Sequence, residues 1–190
     1  RFQVNANIGM NVPVEELRRD FDAILLAGGS ALPRDLKVPG RELGGIYFAL
    51  EYLPLQNRRC EGEPIHEDQL ISARNKRVAI IGGGDTGADC LGTALRQGAA
   101  SVHQFELLPA PPNERTSENP WPLWPNVFRT SSAHEEGGVR EFCISTTRFS
   151  GRDGRVERMH AVRVEFVSDG NGRQLMREIP GTEFAIEVDL

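Results

Sequence analysis

Gly82, Gly84 and Gly87 follow the apolar run Val78-Ala79-Ile80-Ile81 and lead into Ala88-Asp89-Cys90-Leu91. A G-x-G-x-x-G spacing between a short buried strand and a helix starting near Asp85 suits the binding of a diphosphate. Gly82 permits the tight turn off the strand. Gly84 lacks the Cβ that would hold a pyrophosphate away from the backbone, and Gly87 lets the helix pack close to the strand. Free N–H groups at the helix start then meet the phosphates, and the helix dipole favours their charge. Glu106, 19 positions after Gly87, is placed at the end of the next strand to accept hydrogen bonds from the adenosine ribose. Gly82, Gly83, Gly84, Asp85, Thr86, Gly87 and Glu106 are therefore the candidate dinucleotide contacts.

Several of these residues carry two readings. The Asp85 side chain is expected to cap the helix while its N–H faces the ligand. The Thr86 hydroxyl suits a phosphate oxygen and a local amide equally. Glu106 taken alone favours NADH, because a carboxylate repels a 2′-phosphate. Arg115, beyond a proline turn, offers a fork of donors to that phosphate, as does Arg129. The choice between NADH and NADPH stays open.

Composition narrows the field. The net charge is −5 and no basic cluster is present, which argues against a general nucleic-acid binder. No apolar run is long enough to cross a bilayer and no signal-peptide pattern opens the chain. The three cysteines Cys60, Cys90 and Cys143 show no zinc, cluster or disulfide spacing, so a reducing cytoplasm is the expected compartment. Cys90 reads as a small buried side chain. The four histidines show no metal-ligand spacing, and His134-Glu135-Glu136 reads as a solvated polar turn. No catalytic residue and no metal site are assigned. The start at Arg1 without Met, and the end at Leu190 without a turn signal, suggest a piece of a longer protein.

These residues need a frame of α/β elements. Phe2 to Asn5 reads as part of a strand, Val14 to Arg19 as a short helix, and Asp22 to Ala27 as a strand covered on both faces, ending at Gly28-Gly29-Ser30. A helix over Phe48 to Gln56 is expected to end near Pro54, followed by a polar linker from Glu61 to Ser72. A strand from Lys76, a helix over Asp85 to Gln97 stopped by Gly98, and a strand over Ser101 to Leu108 form a right-handed βαβ unit. Six prolines and both tryptophans between Pro109 and Pro125 exclude a regular helix or central strand. A packed loop is expected there, since burying two indoles is favourable. Glu141 to Phe149, Val156 to Val167 and Arg173 to Pro180 read as an antiparallel meander, with turns at Gly151-Arg152-Asp153-Gly154 and Asp169-Gly170-Asn171-Gly172. The fold class is α/β: a Rossmann-like three-layer dinucleotide-binding domain with an antiparallel meander, over residues 71–190. Residues 1–70 form a partial FAD-domain segment and linker.

Together these segments resemble the small subunit of glutamate synthase and related pyridine-nucleotide oxidoreductases. The resemblance rests on Ala23-Ile24-Leu25-Leu26-Ala27-Gly28-Gly29, on Leu36-Lys37-Val38-Pro39-Gly40-Arg41-Glu42-Leu43, and on Gly82 to Cys90. It rests further on Gln104 to Pro109 with Pro111-Pro112, on Asn119-Pro120-Trp121-Pro122 with Trp124-Pro125, and on His134-Glu135. It implies that NAD(P)H bound here passes hydride to FAD in the full-length protein. Iron–sulfur clusters outside this chain then carry electrons to a large subunit, which makes glutamate from glutamine and 2-oxoglutarate. It also implies Ala27, Gly28 and Gly29 as flavin neighbours, although Gly28-Gly29 stands where relatives often have Thr-Gly. The FAD-binding G-x-G-x-x-G and the cysteine-rich region of such proteins are absent from the chain. Two alternatives are the electron-input module of another FAD and iron–sulfur oxidoreductase, and a non-catalytic nucleotide-binding module.

Overall fold

The computed structural model describes residues 2–29, 32–170 and 173–190. Of the expected turn residues, Ser30, Asn171 and Gly172 lie outside these. The chain divides into two compact units, Arg1–Pro33 and Arg34–Leu190.

In the first unit, helix α1 (Val14–Asp20) starts after Pro13, with Glu15 and Glu16 in its first turn and Arg18 and Arg19 in its last. That order complements the helix dipole. Before it, Asn11 ties a turn by accepting from the Asn7 N–H at 2.7 Å and donating to the Asn5 carbonyl at 2.8 Å. The strands expected at Phe2 to Asn5 and Asp22 to Ala27 do not form. A strand needs a neighbouring backbone, and among the described residues none pairs with 22–29; Leu25 and Leu26 are about nine-tenths exposed.

The second unit has three layers. Strands β1 (Arg77–Ile81), β2 (Ser101–Phe105) and β3 (Val139–Glu141) form a parallel sheet in that order, with Val78 opposite Val102 and Phe105 opposite Glu141. The β1–α3–β2 unit forms as expected, with α3 at Asp85–Arg96 and Gly98 at φ +83° behind it. Side chains alternate across the sheet. Val78, Ile80 and Val102 pack with Cys90, Leu91 and Ala94 of α3 and with Tyr52 of α2 (Ala49–Cys60). Pro54 lies inside α2 rather than ending it. The Tyr52 hydroxyl and the Ala73 N–H both donate to Gln97 Oε1, at 3.0 and 2.7 Å, joining α2 to the end of α3.

The opposite face, with Ala79 and Phe105, meets the third layer, an antiparallel sheet. Strand β4 (Ile144–Arg152) turns at Asp153 (φ +51°) and Gly154 (φ +74°) into the 14-residue β5 (Arg155–Ser168). Strands β6 (Gln174–Glu178) and β7 (Phe184–Glu187) then follow one another along β5. The single strand expected over Glu141 to Phe149 is in fact β3 and β4 in two different sheets. Cys143, at φ +58°, breaks the extended chain between them. Residues Leu36, Val38, Leu43 and Ile46 pack on this third layer, and the compact unit that contains them begins at Arg34.

Candidate functional site

The turn between β1 and α3 uses four glycines in four ways. Gly82 has φ +121°, a conformation that side chains rarely adopt, and its N–H donates to the Phe105 carbonyl at 2.8 Å. A Cβ at Gly87 would run into the Gly82 carbonyl oxygen and lie 2.5 Å from Gln104 Nε2. A Cβ at Gly83 would collide with the Glu106 carboxylate. At Gly84, by contrast, a Cβ would meet nothing within 4 Å, so this side of the turn is open to a ligand. The first bond of α3 runs from the Ala88 N–H to the Gly84 carbonyl at 3.1 Å. The N–H groups of Asp85, Thr86 and Gly87 precede it and have no partner within the helix. No side chain caps α3, so Asp85 does not play the capping part expected of it; Asp85 and Thr86 are both exposed.

Gly83, Gly84 and Asp85 open on a cleft of about 630 Å³, whose other walls include Glu106, Pro109 to Pro112, Trp124 to Arg129, His134 and Arg140. Glu106 is folded back, with Oε1 accepting from the Leu108 N–H at 3.1 Å. Arg115 is not in the cleft wall. Its Nη1 donates to the carbonyls of Asn119 and Leu123 at 3.2 and 3.0 Å, bracing the Pro–Trp loop. The cations of the cleft are instead Arg129, 5.0 Å from the Trp124 ring centroid, and Arg140. Arg140 lies over Phe128 and Phe142, and its Nη1 donates to the Arg129 carbonyl at 3.2 Å.

The Pro–Trp loop has no helix or strand, as its prolines require, but its indoles are not packed. Trp121 is 82% and Trp124 78% exposed. Asn119 orders the loop instead, donating to the Trp124 carbonyl at 3.0 Å and accepting from the Asn126 N–H at 2.8 Å. Ala27, Gly28 and Gly29 belong to the other compact unit, where they are exposed.

Besides Arg140, two residues emerge that the sequence did not single out for this site. Gln104 is 2% exposed, and its Nε2 donates to the Gly82 carbonyl at 2.9 Å. Its Oε1 lies 2.9 Å from Nε2 of His134, in the short helix α4 (Ser132–Glu135). His134 Nδ1 accepts from the Ser131 N–H at 3.2 Å and lies 3.0 Å from Ser131 Oγ. His134 is thus wired beneath the glycine turn and is not part of a solvated turn. Burial, and secondarily the charge of Arg140, hold its imidazole below the ordinary histidine range. The sequence offers only a slight signal, a polar Gln104 within the strand pattern Val102 to Phe105, and its need for a partner follows from its burial.

Cys90 is buried, and its thiol is pushed up to about 11, first by burial and then by Asp89, as befits an unreactive side chain. Among the described residues no group of His, Cys, Asp or Glu could hold a metal, and no helix is long and apolar enough to cross a membrane.

The sequence profile of the pyridine nucleotide-disulphide oxidoreductases matches residues 4–119. The chain belongs to that family. It is 47% identical over its whole length to the glutamate synthase [NADPH] small chain of Mycobacterium tuberculosis, of which it spans 38%. Over 96% of its length it is 40% identical to the small chain of Bacillus subtilis, again spanning 38%. Over 98% it is 43% identical to the glutamate synthase [NADH] of Schizosaccharomyces pombe, spanning 9% of that protein. Among solved structures, Mycobacterium tuberculosis FprA in complex with NADPH matches 98% of this chain and 52% of its own, at a TM-score of 0.61 and 19% identity. That likeness is one of fold. It agrees with a mixed α/β family member carrying a parallel and an antiparallel sheet.

Proposed function

We propose that this chain is the nucleotide-binding part of a glutamate synthase small subunit. The observation that carries the reading is the open side of the glycine turn at Gly84, which shares one cleft with Glu106 and Arg129. The amides of Asp85, Thr86 and Gly87 would hold the diphosphate of NADPH or NADH, with Gly82, Gly83 and Gly84 giving the backbone its approach. Glu106 would accept from the adenosine ribose, and Arg129, which lines the cleft, would meet a 2′-phosphate more readily than Arg115, which braces the Pro–Trp loop.

When bound, the nicotinamide supplies hydride, and FAD of the full-length protein accepts it. The residues of this chain bind, orient and screen the cofactor, and none is assigned an acid–base step. Residues 71–190 are assigned to the nucleotide domain. Residues 1–70 are assigned to the FAD portion and linker, with Ala27, Gly28 and Gly29 beside the flavin. Iron–sulfur clusters outside the chain, a large-subunit partner making glutamate from glutamine and 2-oxoglutarate, and a cytoplasmic setting complete the proposal. Support comes from the relatives named glutamate synthase, together with the Pro–Trp segment.

Titration calorimetry of the chain with NADPH and NADH tests the reading. Binding is expected to be weak but measurable and to be lost in Gly84→Val. Equal binding by the variant would remove the site from this turn.

A further inference from the structure

We propose that His134 is a positioning residue for the glycine turn, acting through Gln104 to fix the direction of the Gly82 carbonyl. The inference rests on the dinucleotide reading of the cleft and adds to it the device that keeps the turn in its binding shape.

The hydrogen-bond directions follow one from another. The Gly82 carbonyl can only accept, so the atom of Gln104 lying 2.9 Å from it is the amide nitrogen. Gln104 Oε1 therefore faces the imidazole, and the ring nitrogen 2.9 Å away must carry the proton. His134 Nδ1 is then free to accept from the Ser131 N–H, the donor 3.2 Å from it. One proton arrangement satisfies the whole chain from Ser131 to Gly82. Reversing the Gln104 amide would set its NH2 against His134 Nε2–H and its oxygen against the Gly82 carbonyl, so the imidazole and the carbonyl favour the same orientation.

Position gives the chain its leverage. Gln104 is almost fully buried, and no water replaces a lost partner easily. Its amide nitrogen also lies where a Cβ at Gly87 would come within 2.5 Å, so it sits between the entry and exit of the turn. Gly82 at φ +121° has a wide choice of backbone states, and the donor from Gln104 restricts its peptide to one of them. The peptide that begins with that carbonyl leads directly to Gly83 and Gly84, whose open side faces the cleft.

The test compares His134→Leu, His134→Gln and Gln104→Glu in the full chain, by amide hydrogen exchange over residues 82–88 and by NADPH titration. His134→Leu removes the donor. It should speed exchange in the turn and weaken NADPH by about 3- to 10-fold, the scale of one buried hydrogen bond. His134→Gln places an amide nitrogen near the position of Nε2 and should restore both to within about twofold. Gln104→Glu keeps an acceptor for His134 but has no donor for the Gly82 carbonyl, and should match His134→Leu. Wild-type exchange and affinity in His134→Leu would overturn the proposal, as would equal damage in His134→Gln. If His134→Leu does not fold, the contrast between His134→Gln and Gln104→Glu decides in the same way. If the wild-type chain takes up no NADPH, the dinucleotide reading fails and the exchange measurements alone decide the positioning role.

Discussion

The carboxylate of Glu106 fills the space that a side chain at Gly83 would need. The residue expected to serve the ribose is thus also a packing partner of the turn, and one of its oxygens holds the Leu108 N–H. Gly83→Ala should displace this carboxylate and cost about 1 kcal/mol. In a Glu106→Ala background the same substitution should cost much less. A denaturant-melt cycle over the four proteins measures this coupling, and additive effects would contradict it.

Gly87 and Gly84 should respond in opposite ways to alanine. Alanine inside a helix is ordinarily favoured by about 1 kcal/mol, but at Gly87 its Cβ would strike the backbone oxygen of Gly82. The clash should win, leaving a net loss of about 1–3 kcal/mol in chemical denaturation. Gly84→Ala has open space and ordinary backbone angles, so stability should stay within about 0.5 kcal/mol while nucleotide affinity falls.

Stability should fall as pH drops below about 6.5, the ordinary histidine value. His134 is held below its ordinary value by burial and then Arg140, and His160 by burial and then Arg148 and Arg158. The unfolded chain therefore binds more protons near pH 6. The contribution is full above the unfolded histidine value of about 6.5 and is lost as pH falls towards the folded values. Melting temperatures below about pH 6.5 should show a shallower slope in His160→Gln.

A second acid transition should follow at lower pH. Asp189 receives three hydrogen bonds from Arg77, from its N–H at 2.9 Å, Nε at 3.0 Å and Nη2 at 2.8 Å, which hold its carboxyl down to about 2. Its stabilisation is complete above about pH 4 and is lost as pH falls towards 2. Asp189→Asn should remove that part of the acid dependence in denaturant melts.

Arg115→Ala should loosen the Pro–Trp loop without unfolding the domain. Among the described residues the guanidinium holds the Asn119 and Leu123 carbonyls, both in a loop without helix or strand. Faster amide exchange over residues 116–126 with an unchanged melting temperature is the expected result. A cooperative loss of stability would mean that the arginine supports the core.

Legibility followed how local each cause was. β1, α3 and β2 could be read because each is specified by neighbouring residues: an apolar run, glycines at fixed spacing and Gly98 as a stop. The division of β3 from β4 could not, because Cys143 takes a left-handed conformation that its residue type does not announce. Asp22 to Ala27 has the pattern of a strand, but pattern does not supply a neighbour. The tryptophans were read through burial, whereas Asn119 and Arg115 order their loop by hydrogen bonds. Of the cleft wall, Gly83, Gly84, Asp85 and Glu106 could be picked out by spacing. Arg140, Gln104 and His134 come from strand β2 and from segments about 30 residues beyond it, which only the fold brings together.

The step at Cys143 couples two parts of the molecule mechanically. Phe142, just before it, stands in the cleft wall beneath Arg140, while Ile144, just after it, is anchored in the core of the opposite layer and donates its N–H to the Glu106 carbonyl at 3.0 Å. With so little chain between them there is no slack to absorb sliding of one layer over the other. A residue at 143 that resists the left-handed conformation would therefore disturb the cleft wall and the core of the antiparallel sheet together.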